Sequence, residues 1–173
     1  EVVNLLKNAG AIIMGKTVTA ELAYIHPGKT TNPHDYSRTP GGSSSGSAAV
    51  IAAQMAPLSI GSQTGGSIIR PASYCGVVGY KPSYGLISRS GVLKTSEKLD
   101  TIGVFGKSVE AVALLAKALI KKDLYDPASI HFAADGILEA SQKEPYFEPK
   151  FIFYKTDKWK NIDKKSKSAF EFF

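Results

Sequence analysis

Residues 41–67 read GGSSSGSAAVIAAQMAPLSIGSQTGGS. Two polar glycine–serine loops, Gly41–Ser47 and Gly61–Ser67, enclose a run of small apolar residues and a short apolar stretch. The run Ser47–Ala53 predicts a helix whose thin side chains let other backbones approach. Leu58–Ile60 predicts a buried strand, since it is short, apolar and bounded by Pro57 and Gly61. One helix and one strand make an out-and-back excursion, which can return the second loop beside the first. Each loop would then present a serine, Ser43 from one and Ser67 from the other.

The flanking sequence extends this strand–helix alternation. Val2, Val3, Leu5 and Leu6 have the spacing of a short amphipathic helix that stops at Gly10. Ala11–Met14 reads as a short buried strand. Thr30–Gly46 is dominated by Thr, Asn, Pro, Asp, Gly and Ser, and a loop of that length in a domain is usually functional or disordered. A helix can begin at Ser67, with Pro71 tolerated only near its first turn. Val77–Tyr80 is strand-like. Ser108 is a helix cap ahead of the apolar spacing Val112, Leu115, Leu119. Further on come a short helix near Gly136–Ser141, a strand at Phe151–Tyr154, and a helix over Ile162–Phe173 with Asp163 as its cap. Together these predict an α/β fold, with a mixed, largely parallel central sheet flanked by helices. A single domain is expected over 1–173, with its motif core at 11–105.

Composition narrows the function classes. Of 173 residues, 43% are hydrophobic and 21% charged, which places the chain among globular proteins. No apolar run approaches the roughly 20 residues of a membrane span, so no membrane association is expected. The first residues lack the pattern of a secretory leader. One cysteine, Cys75, rules out an internal disulfide and a cysteine-based zinc site, and suits a cytoplasmic location. The net charge of +6 comes largely from Lys155, Lys158, Lys160, Lys164, Lys165 and Lys167. These alternate with Asp157, Asp163 and apolar residues, so they read as a solvated face rather than a phosphate-binding patch. No bound nucleic acid is expected.

Three motifs compete for the chemistry. Gly10–Thr17 has the text of a phosphate-binding loop, G-x4-G-K-[ST], but a helix precedes it and Ala-Ile-Ile-Met fills its middle. Gly42–Gly46 matches the G-x-S-x-G nucleophile elbow with Ser44 as nucleophile and His131 downstream, yet Tyr36–Gly41 forms no strand to support it. The third reading uses both serine loops and Lys16 together. Taken singly, a glycine–serine loop is usually only flexible, and a lysine after a strand usually snorkels to solvent. Cys75 reads as a buried small hydrophobe.

The two loops, followed by Ile-Ile-Arg-Pro-Ala-Ser-Tyr-Cys-Gly-Val-Val-Gly-Tyr-Lys-Pro-Ser-Tyr-Gly at 68–85, resemble the amidase signature family. The likeness extends through Gly15-Lys-Thr17, Leu99-Asp-Thr-Ile-Gly103 and Phe153–Trp159. Domains of that family are considerably longer than this chain, so the resemblance implies an internal piece. It also implies an amide C–N hydrolase, acting on linear amides through an acyl-enzyme with no cofactor and no metal. In that reading Ser67 is the nucleophile, Ser43 the bridging serine with a cis peptide bond, and Lys16 the base. The backbone N–H groups of Thr64, Gly65, Gly66 and Ser67 form the oxyanion hole, and Ser44, Ser62 and Arg70 are supporting residues. Gln63 stands where many relatives carry an acid, and Arg70 lies three positions after Ser67 where some have it at two.

The chemistry that this assignment requires can be stated for each group. A serine hydroxyl is a poor nucleophile until a base takes its proton. A lysine amine is protonated near neutral pH and becomes a base where burial disfavours its charged form. The apolar run Ala11–Met14 is expected to supply that burial to Lys16. The substrate would be a small-molecule amide, and partners would be a second copy or the other subunits of an amidotransferase that supplies ammonia to tRNA-bound glutamate or aspartate. A non-catalytic interaction module that retains part of the fold is the competing reading.

Overall fold

A computed structural model describes residues 1–172, and the chain divides into two compact units, Glu1–Lys143 and Glu144–Phe173. The expected motif core at 11–105 lies wholly in the first.

The first unit is organised around β3 (Thr101–Gly106), which is buried along its whole length. β1 (Leu58–Gln63) and β2 (Val78–Tyr80) flank it in the order β1-β3-β2, and both pair with it antiparallel. β1 and β2 therefore run the same way, joined through α3 (Ile69–Cys75), with β3 inserted between them. This is a split β-α-β unit.

The largely parallel sheet expected from strand–helix alternation is not what these strands form. That expectation counted two of the three. Thr101–Gly106 carries glycines at 103 and 106, which dilute its strand signal. A long helix-free connection over 81–100 brings it back antiparallel.

The two faces of the sheet differ in side-chain size, because successive residues of a strand point opposite ways. Ile102 and Val104 of β3, with Leu58, Ile60, Val78 and Tyr80, pack against α1 (Val2–Asn8) and α4 (Val109–Leu119). Burying an aliphatic side chain of this size stabilises the fold by roughly 1.5–3 kcal/mol each. The opposite face offers Ser59, Gly61, Gly79 and Gly103 beside Phe105. Phe105 joins Ala48 and Ile51 of α2 (Ser45–Ala52), and Ile68, Ala72 and Cys75 in and beside α3. Small residues on both sides let α2 press onto the sheet. Ser59 Oγ donates to Ser47 O at 2.6 Å, and Ser47 Oγ to Ile60 O at 2.8 Å. Ser108 caps α4 as expected, accepting from Ala111 N at 3.1 Å. The short helix expected near 136–141 is α5 (Ile137–Ser141).

Two strand expectations fail. Residues 11–19 form no secondary structure and are exposed, Ile12 at 88% and Met14 at 74%. An apolar tetrapeptide becomes a strand only by joining a ladder, and Ala11–Met14 pairs with neither edge of the described sheet. Phe151–Tyr154 likewise forms no strand.

In the second unit Phe153 turns instead to Trp159 and Phe170, at centroid distances of 5.2 and 5.6 Å. The helix there, α6 (Lys164–Phe172), follows Asp163, whose Oδ1 accepts from Lys165 N and Ser166 N at 3.1 Å. The expected end of that helix at Phe173 lies outside the described residues.

Candidate functional site

β1 delivers the second glycine loop. Its last residue, Gln63, is buried, and Gln63 Oε1 accepts from Ile68 N at 2.8 Å and Ile69 N at 3.0 Å. Those are the first amides of α3, which have no partner within a helix. A neutral amide therefore does here what an acid could do. Between these anchors lie Thr64 and Gly65, both exposed, then Gly66, and Ser67, which is 8% exposed. Among the described residues, nothing bonds the backbone N–H groups of Gly65, Gly66 and Ser67.

The first loop enters α2. The peptide bond Gly42–Ser43 is cis, as the resemblance implies for the bridging serine. Ser43 is 2% exposed, and its carbonyl oxygen accepts from Ala20 N and Ser45 N, both at 2.9 Å. Arg70 Nε donates to Gly42 O at 2.9 Å, so Arg70 reaches back from α3 to hold the first loop.

The loops meet at Ser44. Its N–H donates to Ser67 O at 3.2 Å. Its hydroxyl donates to Ser62 O at 3.2 Å and accepts from Ser62 N at 3.3 Å. Gly61 makes this approach feasible, since a Cβ there would lie 2.5 Å from Ser44 Oγ and 2.9 Å from the Phe105 ring. Ser43, Ser44, Ser62, Ser67 and Arg70 are thus held in one structure.

Lys16 is different. It is exposed, and among the described residues it makes no hydrogen bond or ion pair. The burial expected from Ala11–Met14 is absent because that run is itself exposed. The backbone that follows Lys16 is nevertheless pinned along the first loop. Thr17 Oγ1 lies 3.0 Å from Ser47 Oγ, and Gly46 N donates to Val18 O at 2.8 Å. Gly46 has no room for a side chain, as a Cβ would come within 2.6 Å of Val18 N. A cavity of about 200 Å³ opens here, where Thr17, Thr19, Ser43, Ser44, Ser47 and Ser62 share the lining with apolar residues such as Ile60 and Ile102. Among the described residues, no cluster of His, Cys, Asp or Glu could hold a metal.

The rival motifs lack their contexts. Gly10–Thr17 follows α1 and no α-helix begins at its Lys16-Thr17 end, so it cannot cradle phosphate at a helix start. Ser44 follows a loop rather than a strand, its hydroxyl is tied to Ser62, and His131 is exposed with no bond to it.

Sequence reasoning overlooked two supports. Asp100 Oδ1 accepts from Thr64 Oγ1 at 2.5 Å and from Thr95 Oγ1 at 3.0 Å, while Oδ2 accepts from Thr95 N and Ser96 N. Its signal was an acid placed just before a strand and four residues after a Thr-Ser pair. The long loop is pinned to the end of α3 by Asn32 Nδ2 donating to Tyr74 O at 2.8 Å, and by His34 Nε2 lying 2.9 Å from Cys75 O. No pattern marked those two.

Comparison with known proteins gives a consistent picture. The family model described as Amidase matches residues 1–173. A glutamyl-tRNA(Gln) amidotransferase subunit of Sulfurihydrogenibium sp. is 46% identical over 149 residues, which cover 83% of this chain and 31% of that protein. The crystal structure of the corresponding amidotransferase subunit of Thermotoga maritima superposes with a TM-score of 0.71 at 43% identity, over 75% of this chain and 30% of that one. A 6-aminohexanoate cyclic dimer hydrolase complexed with substrate gives a TM-score of 0.76 at 31% identity, over 83% of this chain and 32% of that one. The chain thus spans about a third of the length of the relatives that it matches.

Proposed function

The chain belongs to the amidase family, and on that premise we propose that it carries the serine half of an amide C–N hydrolase that works through an acyl-enzyme. Ser67 Oγ attacks the amide carbonyl carbon. Its proton passes to Ser43, whose own hydroxyl proton passes to the neutral amine of Lys16. The carbonyl oxygen becomes an oxyanion, received by the backbone N–H groups of Thr64, Gly65, Gly66 and Ser67. Collapse of this intermediate breaks the C–N bond, and the proton held by Lys16 returns through Ser43 to the leaving amine. Water then adds to the acyl-enzyme, and the ester bond to Ser67 breaks to release the acid. A donor aimed at a developing oxyanion typically contributes about 3–4 kcal/mol to the transition state.

One observation carries this reading. The two serine loops are bonded to each other through Ser44 N and Ser67 O, while among the described residues nothing bonds the amides of Gly65, Gly66 and Ser67. The base step requires the Lys16 amine to be covered and turned in over the first loop. The pinning of Thr17, Val18 and Ala20 along that loop favours such a position. Ser44, Ser62 and Arg70 hold the loops and take no part in the bond changes. The substrate is a small-molecule amide in solution.

Ammonia release from simple amides tests the assignment. Wild-type protein is expected to turn over, and Lys16→Ala and Ser67→Ala to lose turnover with unchanged circular dichroism. Near-full turnover by Lys16→Ala would remove Lys16 as the base.

A second reading is favoured by the relatives named as amidotransferase subunits. In that reading the same serine chemistry delivers ammonia to a partner protein, and co-purification of such a partner would distinguish it.

A further inference from the structure

We infer that Asp100 is a positioning residue for the 64–67 turn, acting through the hydroxyl of Thr64. The inference rests on the proposed role of that turn as the oxyanion hole, but its geometry stands independently.

The turn contains two successive glycines and is exposed at Thr64 and Gly65. Glycine has the greatest backbone freedom of any residue, whereas oxyanion donors work only if they are fixed before charge develops. Something must therefore hold the turn at both ends. At its C-terminal end, Gln63 Oε1 fixes the amides of Ile68 and Ile69, and Arg70 N donates to Gly66 O at 2.9 Å. At its N-terminal end the only side-chain anchor among the described residues is Thr64 Oγ1. It donates to Asp100 Oδ1 at 2.5 Å and sits 3.0 Å from Thr95 Oγ1.

Asp100 is itself held firmly. It is 7% exposed and lies just ahead of β3, the central strand. Its second oxygen takes Thr95 N at 2.6 Å and Ser96 N at 2.9 Å. Burial alone would push its carboxyl up. The hydrogen bonds from Thr64, Ser96 and Thr95 outweigh burial and hold it below the usual carboxylate range, so Asp100 is an anionic acceptor at neutral pH. A charged acceptor makes a stronger bond than a neutral one. The carboxylate thus transfers the rigidity of the sheet centre to a turn that has little of its own.

The test compares wild-type protein with Thr64→Val, Thr64→Ser and Asp100→Asn, using two readouts. Backbone ¹⁵N relaxation reports the order parameters of Gly65 and Gly66 without any need for activity. They are expected to fall from about 0.85 to below about 0.6 in Thr64→Val and Asp100→Asn, and to stay near the wild-type value in Thr64→Ser. The rate of Ser67 acylation by a fluorophosphonate is expected to drop about tenfold or more in Thr64→Val, with unchanged apparent affinity for the reagent, and to recover in Thr64→Ser.

Unchanged order parameters in both Thr64→Val and Asp100→Asn would overturn the inference, as would Thr64→Ser behaving like Thr64→Val. If wild-type protein is not acylated at all, the proposed function fails instead, and the relaxation data still decide the role of Asp100.

Discussion

Ser44 N donates to Ser67 O across 3.2 Å, joining the start of α2 to the start of α3 over the end of β1. This bond belongs to a tight corner in which Ser44 Oγ both donates to and accepts from the backbone of Ser62. The corner depends on the open space above Gly61.

Replacing Gly61 tests that dependence. In Gly61→Ala the new methyl would lie 2.5 Å from Ser44 Oγ and 2.8 Å from Ser44 Cβ. Overpacking of this kind costs about 1–3 kcal/mol, so the denaturant midpoint should fall while the slope stays constant. Loss of Ser67 reactivity greater than the loss of stability is also expected, since the second loop must move away from the first.

The buried pair Arg89–Asp126 makes a separate prediction about stability. Both side chains are 1% exposed, and Arg89 donates to Asp126 from N at 2.8 Å, Nε at 3.1 Å and Nη2 at 2.9 Å. Asp126→Ala leaves a buried guanidinium whose remaining contacts among the described residues are Glu97 and the Tyr84 ring, so a loss of about 3–5 kcal/mol in urea unfolding is expected. Replacing both members by apolar residues of similar size should cost much less.

The same pair makes the fold less stable in acid. The Arg89 hydrogen bond, against the opposing effect of burial, holds the Asp126 carboxyl down to about 2. A depressed carboxylate contributes its full stability above its unfolded value near 3.9, and loses it as pH falls through the folded value. The expected loss is about 2 kcal/mol between pH 4 and pH 2. Asp100 and Asp123 are also held low and act in the same direction. Unfolding midpoints measured at pH 6, 4 and 3 should fall in that order. In Asp126→Asn the decline should be shallower.

The cap of α4 offers a local control. Ser108 has extended backbone geometry and accepts from Ala111 N. Ser108→Ala should lower stability by about 1 kcal/mol without changing Ser67 reactivity.

Legibility in the sequence followed the physics of each element. α4 could be read because an apolar stripe at helical spacing follows a serine cap. The serine loops could be read because two of them occur together, ahead of the 68–85 run, whereas either alone would read only as a flexible loop. β3 escaped notice because its register needs a glycine, Gly103, opposite Gly61 and against Ile68, and glycine carries no pattern. Ala11–Met14 misled because apolar residues announce burial without naming what covers them. Asp100 escaped because Thr64, 36 positions away, becomes its neighbour only after β1 pairs with β3.

Fluorophosphonate treatment followed by peptide mapping decides whether Ser67, rather than Ser43 or Ser44, is the nucleophile of a serine-based amidase. One adduct per chain is expected, located on Ser67, absent in Ser67→Ala and strongly slowed in Ser43→Ala. An adduct on Ser44, or labelling that persists unchanged in Ser67→Ala, would contradict that assignment.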